Sequence, residues 1–146
     1  MITVDAFVVS DDPAWLDLRG TYDYLQANMY WAAKLSYEDF VRSLAFSAVC
    51  LGVYQTDDAN RRKQVGFARV VSDRATFAYL TDVFIHEDYR GLGLSKKLME
   101  AVMSHPDLQS LRRFLLVTAD AQGLYSRYGF RELGEEGSHW LQIFRG

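Results

Sequence analysis

Residues 75–106 read ATFAYLTDVFIHEDYRGLGLSKKLMEAVMSHP, and this stretch decides the fold class of the chain. Its first part, residues 75–86, is rich in aromatic and β-branched side chains and predicts a strand. Its last part predicts an amphipathic helix, because apolar residues recur at helical spacing from Leu94 to Val102. Gly91 and Gly93 stand between the two. A strand followed by a helical crossover predicts a parallel strand pair.

The rest of the chain predicts a mixed α/β sheet. Short connections between the middle strands favour antiparallel pairing there. In chain order we predict a strand, two helices, three strands, a helix, a strand, a short helix and two strands. The predicted strands are residues 2–9, 48–55, 65–71, 75–86, 111–118, 130–133 and 139–145. The predicted helices are residues 18–32, a segment capped by Ser36, the segment after Gly93, and residues 121–128.

Composition excludes several classes of protein. Lys and Arg number 16 against 19 Asp and Glu, and this acidic balance argues against a nucleic-acid binder. A single Cys50 excludes an internal disulfide and points to a reducing compartment. The N-terminus lacks signal-peptide features, and the longest nearly apolar stretch, residues 44–53, is too short to span a membrane. We therefore expect a cytoplasmic protein without membrane or nucleic-acid partners.

The glycine segment between strand and helix predicts an anion site. The first-turn N–H groups of a helix are free, and the helix dipole adds positive potential there. Gly91 and Gly93 let the main chain approach a phosphate, and Arg90 adds a permanent charge. Lys96 excludes the dinucleotide fingerprint, and no Walker A sequence is present. Taken alone, the segment is also compatible with a turn that merely joins strand to helix.

Two motifs together make residues 79–129 resemble the GNAT superfamily of N-acetyltransferases. The first is the run Arg90-Gly91-Leu92-Gly93-Leu94-Ser95, similar to Arg/Gln-x-x-Gly-x-Gly/Ala, with Ser95 where the family prefers glycine or alanine. The second is ADAQGLYSRYGF at residues 119–130. The resemblance implies one N-acetyltransferase domain over residues 1–146. Its sheet would have six to seven mostly antiparallel strands, with a parallel splay at the fourth and fifth strands, and about four flanking helices.

The same resemblance implies acetyl-CoA as co-substrate. Residues Arg90, Gly91, Leu92, Gly93, Leu94 and Ser95 would hold the pyrophosphate. The pantetheine arm would run beside the main chain of Val83, Phe84 and Ile85, with an N–H near Val83 facing the thioester carbonyl. No metal is expected, because His86, His105 and His139 lack the close spacing of a metal site.

Two side chains are candidate catalytic groups. Tyr125 matches the family's tyrosine acid, which protonates the leaving thiolate. The alternative is a core aromatic beside Tyr128 and Phe130. Asp82 could accept the amine proton, directly or through a water, or could be a salt-bridged strand carboxylate. His86 is a further candidate base at the strand end.

The resemblance implies transfer of an acetyl group to a primary amine of a small molecule or protein by direct attack in a ternary complex. A non-catalytic sensor that binds CoA or acyl-CoA is the alternative. The acceptor would meet the aromatic residues of the N-terminal helices, namely Tyr22, Tyr24, Tyr30, Trp31 and Tyr37, which are equally compatible with a core. The acceptor's identity, the acyl length and pairing across a homodimer stay open.

Overall fold

A computed structural model describes residues 6–146, so residues 2–5 of the predicted first strand lie outside the described part. Along the sequence the chain divides into two compact units, with the boundary between Leu116 and Val117. The strands are β1 (Phe7–Ser10), β2 (Val49–Thr56), β3 (Arg62–Ser72), β4 (Phe77–Ile85) and β5 (Arg113–Leu116). The α-helices are α1 (Leu18–Asn28), α2 (Tyr37–Ala45), α3 (Leu94–Ser104) and α4 (Gln122–Ser126).

The first unit contains a five-stranded sheet in the order β1-β2-β3-β4-β5. Neighbours from β1 to β4 are antiparallel, whereas β4 and β5 are parallel. This arrangement confirms the predicted mixed sheet with a parallel pair at the fourth and fifth strands. The β4–β5 ladder covers only Phe77–Leu80 of β4. Within this unit, the rest of β4 pairs with β3 alone.

Helix boundaries follow local capping. The Ser36 side chain accepts a hydrogen bond from the Asp39 N–H, which confirms Ser36 as the N-cap of α2. The Asp17 side chain likewise caps α1 by accepting from the Gly20 N–H. The predicted helix over residues 18–32 was too long, because Met29 is extended and separates α1 from a 3-10 turn at Tyr30–Ala32.

The core of the first unit explains part of the aromatic cluster. Tyr22 is buried with Leu25 and Phe40 against Phe67 and Phe84 of the sheet. The Tyr22 hydroxyl also donates to the Leu35 carbonyl, so this ring is a core residue with a satisfied polar end. Helix α3 buries a separate apolar face, made of Leu94, Leu98, Met99 and Val102.

The second unit lacks the two strands that the sequence predicts at its end. Within the described residues, 130–133 and 140–146 have no strand structure, and a 3-10 turn spans Gly134–His139. The sheet therefore has five strands and not six to seven. The alternation of apolar residues reports strand propensity, but a strand also needs a buried face. Leu141, Ile143 and Phe144 are 93%, 80% and 77% exposed, so no burial stabilises that pairing.

Candidate active site

The loop between β4 and α3 forms an open main-chain cradle. Gly91 and Gly93 have φ angles of 79° and 78°, in the region that favours glycine. Apart from the glycine itself and its two chain neighbours, no heavy atom of the described residues lies within 4 Å of where a Cβ on either residue would stand. Gly93 is the N-cap of α3 and offers no side-chain acceptor to the first-turn amides. These N–H groups and the helix dipole make the cradle suitable for a phosphate.

Arg90 links the cradle to two other elements. Its Nε donates to the Ile85 carbonyl of β4 at 3.3 Å, and its Nη2 donates to the Tyr24 hydroxyl of α1 at 3.3 Å. The Tyr24 ring in turn stacks on Phe84, with centroids 4.1 Å apart. The guanidinium is therefore held beside the loop by β4 and α1, while its remaining N–H groups can donate to an anion.

Main-chain groups at the end of β4 point alternately toward β3 and toward Arg90. The His86 N–H donates to the Val65 carbonyl of β3 at 2.7 Å, so the main chain of His86 faces β3. Main-chain groups alternate along a strand, and the Ile85 carbonyl accordingly faces away from β3, toward Arg90. The side chains of Phe84 and Ile85 are buried.

A bulge interrupts β4 at Asp82 and Val83. Phe67 lies opposite Phe84 and Arg69 lies opposite Thr81, so two residues of β4 face one residue of β3. The φ angle of Asp82 is 58°, which is uncommon for a residue other than glycine. Such bulges redirect main-chain groups, and this one lies where the sequence predicts the thioester.

Asp82 lies in a buried ion pair. Its Oδ2 accepts from Arg69 Nε at 2.8 Å, and its Oδ1 accepts from Thr81 Oγ1 at 3.4 Å. The side chains of Arg69 and Asp82 are only 17% and 9% exposed. This geometry matches the alternative of a salt-bridged strand carboxylate. The role of Asp82 as a base stays a prediction.

Tyr125 lies in α4, within the second unit. Its ring meets Phe130 edge-on, with centroids 6.1 Å apart. Burial raises the pKa of the phenol above its ordinary value of 10.0, and the negative charge of Asp120 adds to this effect. The phenol therefore keeps its proton at neutral pH, as a proton donor must. The ring contact with Phe130 fits the packing alternative equally well.

Other predicted residues have different surroundings. His86 borders a pocket of about 180 Å³ between the start of α1 and the ends of β3 and β4, together with Thr21, Tyr24 and Gln64. The polar groups here bond one another, since Gln64 Nε2 donates to Thr21 Oγ1. Tyr30 and Trp31 are exposed, away from the core that holds Tyr22 and Phe40. The predicted aromatic residues therefore do not form one wall of a substrate cleft.

Sequence reasoning missed Arg69 altogether. No motif marks this residue, and its partner Asp82 is 13 positions away. The only signal in the sequence was that Arg69 and Asp82 carry opposite charges on consecutive predicted strands. This signal can be used only when the register of the β3–β4 hairpin is known. This register depends on the turn that Asp73 organises by accepting from the N–H groups of Ala75, Thr76 and Phe77.

Cys50 lies on β2, opposite Arg69 of β3, and its thiol is expected to react slowly. Burial raises its pKa from 9.0 to about 11, although the charge of Arg69 counteracts part of the rise. This change leaves about 100-fold less thiolate at pH 8, and thiolate is the reacting species. Labelling with a disulfide reagent at pH 8 should be at least about 100-fold slower in the native protein than in guanidinium. Equal rates in both solvents would contradict the burial of this side chain.

Residues 6–146 contain neither a candidate metal cluster nor a candidate membrane-spanning helix. No group of three or more His, Cys, Asp or Glu side chains in this part could hold a metal ion. In the same part, no helix has the length and apolar character needed to cross a bilayer.

Comparison with known proteins identifies the family. The acetyltransferase (GNAT) domain profile matches residues 49–132. A crystal structure from Xanthomonas campestris pv. campestris, of a protein assigned to the GNAT family, is 43% identical, with a TM-score of 0.86 over 95% of this chain and 93% of that one. A Gibberella zeae protein assigned as an acetyltransferase is 29% identical over an alignment of 138 positions that covers 83% of this chain and 76% of that protein.

A third comparison concerns the fold alone. An acetyltransferase from Clostridium acetobutylicum, whose crystal structure was determined with acetyl-CoA, is 16% identical, with a TM-score of 0.61 over 94% of both chains. The profile match covers more than half of the sequence, and its range includes β2 to α4 and both motifs. The chain therefore belongs to the GNAT family of acetyltransferases, and it is an acyltransferase.

Proposed function

We propose that the protein transfers an acetyl group from acetyl-CoA to a primary amine of a small molecule or a protein. One observation carries this proposal: the open cradle of Gly91 and Gly93 at the start of α3, which follows the part of β4 that pairs with β3 alone among the described strands. A pyrophosphate fits such a cradle, because it accepts hydrogen bonds from main-chain N–H groups. The Clostridium acetobutylicum structure with acetyl-CoA, which shares this fold, supports the choice of donor.

The residues of the first unit would bind and orient the donor. The segment Arg90 to Ser95 would hold the pyrophosphate. The pantetheine arm would run along Val83, Phe84 and Ile85 and pair with the main-chain groups of this segment that face away from β3. Acetyl-CoA supplies a thioester that reacts with an amine to give an amide and the free thiol of CoA. The Val83 N–H would stabilise the negative charge that develops on the thioester oxygen.

Proton transfers complete the proposed reaction. As the carbon–sulfur bond breaks, the Tyr125 phenol would donate its proton to the departing sulfur. The amine must lose a proton to a base or to water, and Asp82 is the sequence-predicted candidate. We propose that residues 1–146 act as one domain for this chemistry. We also place the reaction in the cytoplasm, where a single free thiol such as Cys50 stays reduced.

A screen for thiol release tests the proposal. The protein is incubated with acetyl-CoA and a panel of small-molecule and peptide amines, and free CoA is measured with a disulfide reagent. Because native Cys50 is expected to react slowly, the signal should come from CoA. Amine-dependent release with at least one acceptor is expected, with amine-free reactions as controls. Tight CoA binding by calorimetry without release for any acceptor would favour a non-catalytic sensor.

A further inference from the structure

We infer that Arg69 is a positioning residue for the proposed acetyl transfer. Its ion pair with Asp82 would hold the β4 bulge in its left-handed conformation and so direct the Val83 N–H toward the thioester carbonyl. The inference rests on the proposed function, because the direction of this N–H matters only if a thioester binds beside β4. It gives Asp82 a different role from that of a base.

The first step of the argument is the backbone of the bulge. Asp82 has a φ angle of 58° in the middle of a nine-residue strand, where pairing with β3 would favour extended backbone. Aspartate tolerates this region better than most residues, but the conformation still has to be stabilised by its surroundings. The ladder cannot do this, because Ala68 alone lies opposite Asp82 and Val83.

The second step is the rigidity of the partner. Arg69 lies on β3, which is paired on both sides, with Cys50 on β2 and Thr81 on β4 as its neighbours. While Nε donates to Asp82, Nη1 donates to Ser47 Oγ at 3.2 Å. The Ser47 hydroxyl is itself oriented, since it donates to the Ser43 carbonyl of α2 at 2.8 Å. The guanidinium is thus held by its own strand, β3, and by Ser47, independently of its contact with the carboxylate.

The third step concerns what a buried ion pair can do. Desolvation cancels much of the attraction between two buried charges, so such pairs contribute little net stability compared with apolar residues. They do impose one geometry, because a planar guanidinium accepts few arrangements of a carboxylate. In this protein the imposed geometry is the one that the left-handed Asp82 backbone requires. The pair is therefore suited to fixing the bulge.

A double-mutant cycle separates positioning from base catalysis. The variants are Arg69→Met, Asp82→Asn and the double variant, and kcat and KM for acetyl-CoA are measured with an accepted amine. If the pair acts as a unit, each single variant lowers kcat by about 10- to 100-fold, below the effect of losing an oxyanion donor outright. The double variant should then match the singles, with KM for acetyl-CoA changed by less than about threefold.

The matched control is an ion pair of the same geometry. Arg61 Nε lies 2.8 Å from Asp57 Oδ2 in the exposed β2–β3 loop, at the same distance as in the buried pair. Arg61→Met should keep kcat within about twofold, because an exposed pair contributes little. If Asp82→Asn loses activity while Arg69→Met keeps it, Asp82 acts as the base and the inference is wrong.

A second measurement does not depend on turnover. In protein labelled with ¹⁵N-valine, acetyl-CoA should shift the Val83 amide resonance differently from CoA, and the double variant should lose this difference while Arg61→Met keeps it. The double variant removes both buried charges, so neither is left without a partner. A cooperative thermal transition checks that this variant folds. A difference that persists in the double variant would overturn the inference. An acetyl-dependent shift without turnover for any amine would instead contradict only the proposed function.

Discussion

Gly93→Val is expected to weaken CoA binding by about 5- to 30-fold. The φ angle of Gly93 is 78°, and a β-branched residue is a genuine outlier in that region. The left-handed conformation costs such a residue about 1–2 kcal/mol, and about 2 kcal/mol corresponds to about 30-fold in an equilibrium constant. The new side chain would also enter the open space above the cradle. Calorimetry with CoA measures the loss.

Gly134→Val is the matched control for this substitution. Gly134 has a φ angle of 72°, and no atom lies within 4 Å of where its Cβ would stand, so the backbone cost and the free space are similar. Gly134 lies in the second unit, outside the cradle. Both variants should lower the melting temperature, but only Gly93→Val should lose CoA affinity. Equal CoA affinity in the two variants would contradict the assignment of the cradle as the coenzyme site.

The conformation of the glycine loop could be predicted from sequence because its geometry is local. Glycine at 91 and 93 both permits the positive φ angles and leaves the space that a phosphate needs, and the helix that follows is marked by its own periodicity. The parallel pair of β4 and β5 follows from the helical crossover between them. These features depend on residues that are neighbours along the chain, so spacing alone is sufficient.

The bulge and its ion pair could not be predicted in the same way. The pairing of Arg69 with Asp82 depends on hairpin register, and an extra residue in β4 changes this register between Phe67 and Arg69. The prediction of strands at residues 130–133 and 139–145 was wrong for a related reason. Alternating residues such as Leu141 and Ile143 indicate a strand, but only a buried face and a partner strand make one.

Tyr125→Phe is expected to lower kcat by about 10²- to 10⁴-fold while CoA affinity stays within about twofold, the range that general acid catalysis contributes. The substitution removes one hydroxyl and keeps the ring that meets Phe130. Tyr128→Phe, three residues further along, is the matched control and should keep kcat. Initial rates with acetyl-CoA and calorimetry with CoA separate the two effects. An unchanged kcat in Tyr125→Phe would make the residue a packing aromatic and not the acid.

The pH dependence of this defect adds an independent check. Only the protonated phenol can donate, so activity that depends on Tyr125 falls as pH rises through its pKa in the folded protein. Burial and the charge of Asp120 hold that pKa above 10.0, which places the fall above pH 10. The ratio of wild-type to Tyr125→Phe rates should therefore be constant between pH 7 and pH 9. A ratio that declines across this window would mean that the Tyr125 phenol loses its proton below pH 9, which contradicts a raised pKa.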